Sequence, residues 1–278
     1  MLVDTRRMRR IGYASVAGAA LAALLGCAAP REEGEESGPV PGAGNAAAVG
    51  GDVAAVERAD LAGVFERAGA AGTFVLYDTQ DRTSVLVDPG RARERAVPGE
   101  TFELVTALVA LQTGAVSDAG AVVGAGGAAH RDAVERVGRD RLATWVDRFE
   151  YGDRDIGAPE DGSGDFWARG PLGVSAVEQT EFLAGLARRE LPVDAAHQEA
   201  LHAATLVEEG AGHTLHGRAA CDGGGAPGWW VGWVAAGERT HSFALRLEPG
   251  ERAAGDCEAL GRELLAALDV LPRESGTR

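Results

Sequence analysis

Both helices and strands are expected in the folded part of this chain, and three observations point to them. Leu104, Val105, Leu108, Val109 and Leu111 recur at helical spacing after Pro98-Gly99-Glu100-Thr101-Phe102-Glu103, a pattern that buries one stripe of a helix closing near Gly114. Residues 73–77 and 84–87 flank the polar stretch Asp78-Thr79-Gln80-Asp81-Arg82, a hairpin-like pair of strands. Late in the chain, residues 228–234 and 242–247 read as two further strands, ahead of a closing helix over 257–268.

At 278 residues there is length for one large domain or two small ones, and no linker interrupts the second half, so one domain is expected. The 42 acidic against 27 basic side chains leave a net charge of −15, which makes neither a nucleic-acid backbone nor an anionic membrane face a natural partner. No residue is lysine. The basic side chains are all arginine, whose guanidinium stays protonated and cannot act as a general base.

The N-terminus carries Arg6, Arg7, Arg9 and Arg10, an apolar run over 11–25, and Leu24-Leu25-Gly26-Cys27. The run is too short to span a membrane comfortably and reads as an export signal over 1–26. Its end resembles a bacterial lipobox, which implies a lipid on Cys27 and an extracytoplasmic, membrane-anchored protein. Thr5-Arg6-Arg7 also weakly resembles a twin-arginine signal, so the export route stays open. Residues 27–52 are Pro, Gly, Ala and Glu with almost no large apolar side chain, a composition expected to form a flexible tether. The domain should occupy 53–271, with 272–278 as a tail.

Within the domain, Val53, Val56, Leu61, Val64 and Phe65 predict an N-terminal helix that ends at the small residues 69–72. After the hairpin and the apolar helix, residues 117–127 thin to a glycine-rich loop. Residues 132–149 read as one amphipathic helix through Val134, Val137, Leu142, Trp145, Val146 and Phe149. Ser175 with Glu178 forms a capping-box pattern that opens the next helix, and a further helix is predicted over 194–207. Thr214-Leu215-His216-Gly217-Arg218-Ala219-Ala220-Cys221 precedes the late strands.

The stretch from Gly72 through Arg95 and the helix that opens at Pro98 resemble the active-site entry of class D β-lactamases, the oxacillinases, where that helix begins Pro-x-Ser-Thr-Phe-Lys. Tyr151-Gly152-Asp153 matches the family's Tyr-Gly-Asn with Asp in the last place. The region from Gly164-Asp165-Phe166-Trp167 to Ser175-Ala176-Val177-Glu178-Gln179, and the strand Gly228-Trp229-Trp230-Val231-Gly232-Trp233-Val234, resemble the family closely. The fold thereby implied is the α+β fold of serine β-lactamases and penicillin-binding proteins, a five-stranded antiparallel sheet flanked by helices. That architecture rests on the resemblance and not on periodicity.

The same resemblance argues against the family's reaction. Its nucleophilic serine and the lysine that serves, carbamylated, as general base match Glu100 and Glu103, and two glutamates cannot carry out serine-lysine chemistry. The serine of Ser-x-Val falls on Ala125, or on Ala121 by local similarity. Lys-Thr-Gly matches Arg218-Ala219-Ala220, which keeps the charge, loses the hydroxyl and crowds the strand with a methyl. Trp167 matches the tryptophan beside the carbamylated lysine and is expected to pack in the core. Tyr151, Gly152 and Asp153 line the implied pocket.

With Cys27 taken as the lipid site, Cys221 and Cys257 are the remaining cysteines, and an exported pair is usually bonded. By the resemblance, Cys257 falls on the arginine that binds the substrate carboxylate, which would set the bridge in that pocket. The six histidines are scattered, and His213-x-x-His216 near Glu208 and Glu209 suits no zinc pattern, so solvated strand-end histidines and no metal or other cofactor are expected.

The functional expectation is a non-catalytic envelope lipoprotein that binds peptidoglycan or a protein, or acts in sensing. Two alternatives belong to other classes. One is a weakly active acyl-enzyme using Ser117, Ser163 or Ser175. The other is a glycan hydrolase using Glu100 and Glu103, set against the plain preference of carboxylates for a helix N-terminus.

Overall fold

The computed structural model describes residues 54–158, 164–221, 225–250 and 257–272; the export segment, Cys27, the tether and Ser163 lie outside the described residues. The strands are β1 (Ala54–Glu57), β2 (Gly72–Asp78), β3 (Thr83–Val87), β4 (Leu206–Gly210), β5 (His213–Ala220), β6 (Gly228–Ala236) and β7 (Arg239–Leu247). The helices are α1 (Ala62–Ala68), α2 (Pro89–Arg93), α3 (Glu103–Gln112), α4 (Gly127–Val137), α5 (Arg139–Arg148), α6 (Phe166–Arg169), α7 (Ala176–Ala187), α8 (Ala195–Thr205) and α9 (Cys257–Ala267).

Among the described residues the strands form one seven-stranded sheet in the order β1-β3-β2-β7-β6-β5-β4, two strands more than expected. Both additions are edge strands. β1 runs parallel to β3 with Ala54 opposite Thr83, where periodicity predicted the start of a helix. Its four residues are exposed, so Val56 has no core to face and the backbone pairs with the free edge of β3 instead. Leu61, Val64 and Phe65 do reach a core, through a 3-10 turn and α1. At the other edge, the helix predicted over 194–207 stops at Thr205, Leu206 turns extended (φ −63°, ψ 118°), and β4 pairs antiparallel with β5.

The sheet separates two cores. One face packs α3, α5, α7 and α8 around Leu104, Leu108, Val146, Leu183 and Leu201. The other carries α1 and α9 on Phe74, Trp230, Phe243, Leu264 and Leu265. Helix α9 lies close enough to the sheet that a Cβ at Gly261 would stand 2.1 Å from the Trp230 ring, so glycine is required there. Helix α3 is buried on every side from Glu103 to Leu111, not along one stripe as expected, because the sheet and flanking helices enclose it. The amphipathic segment 132–149 is two helices. Gly138, at φ 83° and ψ 142°, breaks it between α4 and α5. The capping box of Ser175 and Glu178 opens α7 as expected.

His202 and His216 are buried, not solvated. Their rings pack on Trp233, at 4.8 and 4.5 Å between centroids. His202 Nε2 meets the Leu186 carbonyl at 2.8 Å, and His216 Nδ1 meets that of His202 at 3.0 Å. Burial lowers the pKa of both rings, that of His216 to about 4, which keeps them neutral at pH 7.

Candidate functional site

The entry to α3 is a 3-10 turn, Gly99–Phe102, made possible by Gly99 at φ +58°. This turn places Glu100 at the rim, its side chain 26% exposed, while Glu103 one turn later is fully enclosed. On the neighbouring strand β5, alternation turns Arg218 toward α3, and its Nε–H donates to Glu103 Oε2 at 2.8 Å. The Gly124 backbone N–H donates to the same oxygen, also at 2.8 Å, so the loop holding Ala121 and Ala125 is tied down over Glu103. Glu103 Oε1 is buried and has no hydrogen-bond partner.

A histidine that the sequence did not single out completes the site. His130 of α4 is fully buried, with Nδ1 3.1 Å from Glu100 Oε2 and Nε2 3.0 Å from Thr106 Oγ1. Its ring lies against Trp167, 4.4 Å between centroids, and Trp167 in turn stacks on Phe102. Trp167 therefore packs in the core as expected and also walls the site. The hydrogen bond from His130 holds the Glu100 carboxyl below its ordinary pKa, against the opposing effect of burial. In sequence His130 was one of six scattered histidines, and no spacing rule links it to a helix that starts 27 positions earlier.

Thr106, His130 and Glu100 have the connectivity of a hydroxyl-imidazole-carboxylate relay. Its orientation is wrong for acyl transfer, since the hydroxyl and the ring are closed off and only the carboxylate meets solvent. The glycan-hydrolase reading fails on the same ground, because Glu103 has no exposed surface with which to meet a glycosidic oxygen. Of the serines considered, Ser117 is exposed, whereas Ser175 Oγ is committed to its capping box, accepting from Glu178 N–H at 3.2 Å and donating to Glu178 Oε2 at 2.9 Å.

Tyr151, Gly152 and Asp153 form a packed turn beside this group. The Tyr151 ring lies 5.8 Å from Phe102 and 5.2 Å from Phe182, and burial raises its phenol pKa. Gly152 sits at φ +58°, with a would-be Cβ 2.2 Å from the Gly173 carbonyl. Asp153 Oδ1 accepts from Gly173 N–H at 3.1 Å.

Cys221 and Cys257 are bonded, with Cα atoms 6.4 Å apart. The bridge does not lie beside the Glu103–Arg218 pair. Ala219 and Cys221 pack with the α9 core, whereas Ala220 packs with the α3 core that Arg218 faces. The strand's alternation that sets Ala219 and Cys221 on one side sets Arg218 on the other. His213 and His216 likewise part company: His213 Nε2 pairs with Glu208 at 3.1 Å, and His216 turns to Trp233. Among the described residues, the three side chains whose donor atoms converge as a metal would need are Glu100, Glu103 and His130, with those atoms all within 4.8 Å of one another.

No family profile matches the chain. Individual relatives do. β-Lactamase OXA-2 of Salmonella typhimurium is 32% identical over 244 residues, covering 78% of this chain and 87% of that protein. Probable β-lactamase YbxI of Bacillus subtilis is 29% identical over 203 residues, covering 64% of this chain and 74% of its own. Among solved structures, FUS-1 (OXA-85), a class D β-lactamase from Fusobacterium nucleatum subsp. polymorphum, superposes with a TM-score of 0.68 at 26% identity, covering 78% of this chain and all of that one. Sequence and architecture agree, and the chain belongs to the class D β-lactamase family.

Proposed function

We propose that this domain is a non-catalytic class D β-lactamase homologue, held at the outer face of a bacterial membrane by lipid on Cys27, where it binds or senses an envelope component, peptidoglycan or a protein. The observation that carries the reading is the fate of Glu103. At the position that the resemblance assigns to the general base, its carboxylate is fully enclosed and ion-paired with Arg218. Glu100, at the position assigned to the nucleophile, is hydrogen-bonded to His130, and a carboxylate there offers no hydroxyl to acylate.

Incubation with a large excess of benzylpenicillin, followed by intact-mass measurement, is expected to leave the mass of the protein unchanged. A stoichiometric increase by the mass of the penicillin would overturn the reading. For the anchor, the full chain produced in a bacterial host is expected in the membrane fraction, and Cys27→Ala in the soluble fraction. Unchanged membrane association of that variant would refute lipidation as the tether.

A further inference from the structure

We propose that Glu100, Glu103 and His130 form a binding site for a divalent transition-metal cation of the zinc type. The proposal stands whether or not the domain reacts with penicillin, and it rests on three independent features of the site.

The first is convergence. One donor atom from each side chain lies within 4.8 Å of the other two, and the Glu100–His130 pair is already at 3.1 Å. Ligands at about 2.0–2.2 Å from a shared tetrahedral ion stand about 3.3–3.6 Å apart, so the group needs to contract by only about an ångström.

The second is the unpaired oxygen. Glu103 is completely enclosed; its Oε2 is taken by Arg218 and Gly124, and its Oε1 has no partner. A buried carboxylate oxygen left unpaired is costly, and a cation at Oε1 removes that cost. Arg218 and Gly124 then act as outer partners that fix the carboxylate's orientation, as partners behind metal ligands commonly do.

The third is the state of the imidazole. Thr106 Oγ1 is 3.0 Å from Nε2 and can accept its proton, leaving Nδ1 to turn a lone pair toward the carboxylates. A cation at Nδ1 takes the place of the proton shared there with Glu100, and Nε2 keeps a proton for Thr106 Oγ1.

The donor set decides the class of ion. One imidazole nitrogen with two carboxylate oxygens suits zinc and its first-row neighbours, whereas calcium and magnesium require a larger shell of oxygens. The charges also close: two carboxylates and one guanidinium leave one negative charge before the cation arrives. Glu100 is the ligand that meets solvent, so the ion enters past it and a water completes the shell.

The test uses the full chain in detergent, stripped with a chelator and dialysed. Titration with zinc chloride is expected to show one ion bound per chain, and cobalt chloride to produce the visible absorption bands of a four-coordinate site. Glu100→Gln, at the exposed rim, is expected to weaken zinc binding at least tenfold with an unchanged far-UV circular dichroism spectrum. His213→Gln, which removes the His213–Glu208 pair between β5 and β4, is expected to leave the affinity unchanged. Absence of stoichiometric binding at about 100 μM zinc would overturn the proposal. So would binding that is insensitive to Glu100→Gln, or that is lost in His213→Gln.

Discussion

Arg218→Met is expected to lower the free energy of unfolding by about 3–5 kcal/mol, because removing one member of a buried pair leaves its partner charged and enclosed. Glu103 has no exposed surface, and without Arg218 its remaining hydrogen-bond partner is the Gly124 amide. The side chain of Arg218 is itself 21% exposed, which places the effect toward the lower end of that range. The double variant Glu103→Leu/Arg218→Met is expected to recover most of the loss, since apolar residues of similar volume often replace a buried ion pair at little net cost. Urea denaturation of the four proteins in the cycle measures this. A loss below about 1 kcal/mol in Arg218→Met would mean that the pair behaves like a solvated one.

The second large effect is expected at the disulfide. Cys221 and Cys257 are 36 positions apart, and closing a loop of that length restricts the unfolded chain by about 4 kcal/mol in the chain-entropy account. Cys221→Ala/Cys257→Ala should therefore unfold at a clearly lower urea concentration than the oxidised parent, with a larger slope against denaturant as the unfolded chain expands. Under non-reducing, denaturing conditions the parent should expose neither thiol to an alkylating agent. A double variant of unchanged stability would show that the bridge contributes nothing beyond the packing of Cys257 against the α9 core.

Much of this fold was legible from local pattern alone, as at the hairpin of β2 and β3 and the capping box of α7. Two of the misreadings share one cause. The apolar spacing of Val53, Val56 and Leu61 suits a helix, but whether residues 54–57 coil or extend depends on a free strand edge supplied by residues 83–86, which no local window contains. The stop at Thr205 has the same origin in β5. Gly138 was visible as a residue but not as a break, since glycine is tolerated inside many helices and only the observed φ shows that this one is not. At the site, the structure brings together Glu100, Glu103 and Arg218, which the resemblance had matched to one site; a resemblance carries tertiary information that spacing lacks. His130 was beyond both means. It matches no motif residue, and its partnership with Glu100 is made by the packing of α4 against α3. The Cys221–Cys257 bond and the face that Cys221 shares with Ala219 both followed from the sequence, the second from strand alternation.

The two open rims of the sheet determine how this protein should behave when crowded. Among the described residues β1 and β4 are the outermost strands, with Val56 at 56% exposure on one rim and Leu206 and Val207 at 45% and 42% on the other. Such rims recruit strands from other molecules unless something blunts them. Here the β4 rim is short, loses register between Leu206 and Glu208, and ends in two consecutive acidic side chains, of which Glu208 is held below its ordinary pKa chiefly by Arg262. The bulge and the Glu208–Arg262 ion pair thus keep this rim from being a flat, regular edge, and the pair persists into mildly acidic solution because Glu208 gives up its charge late.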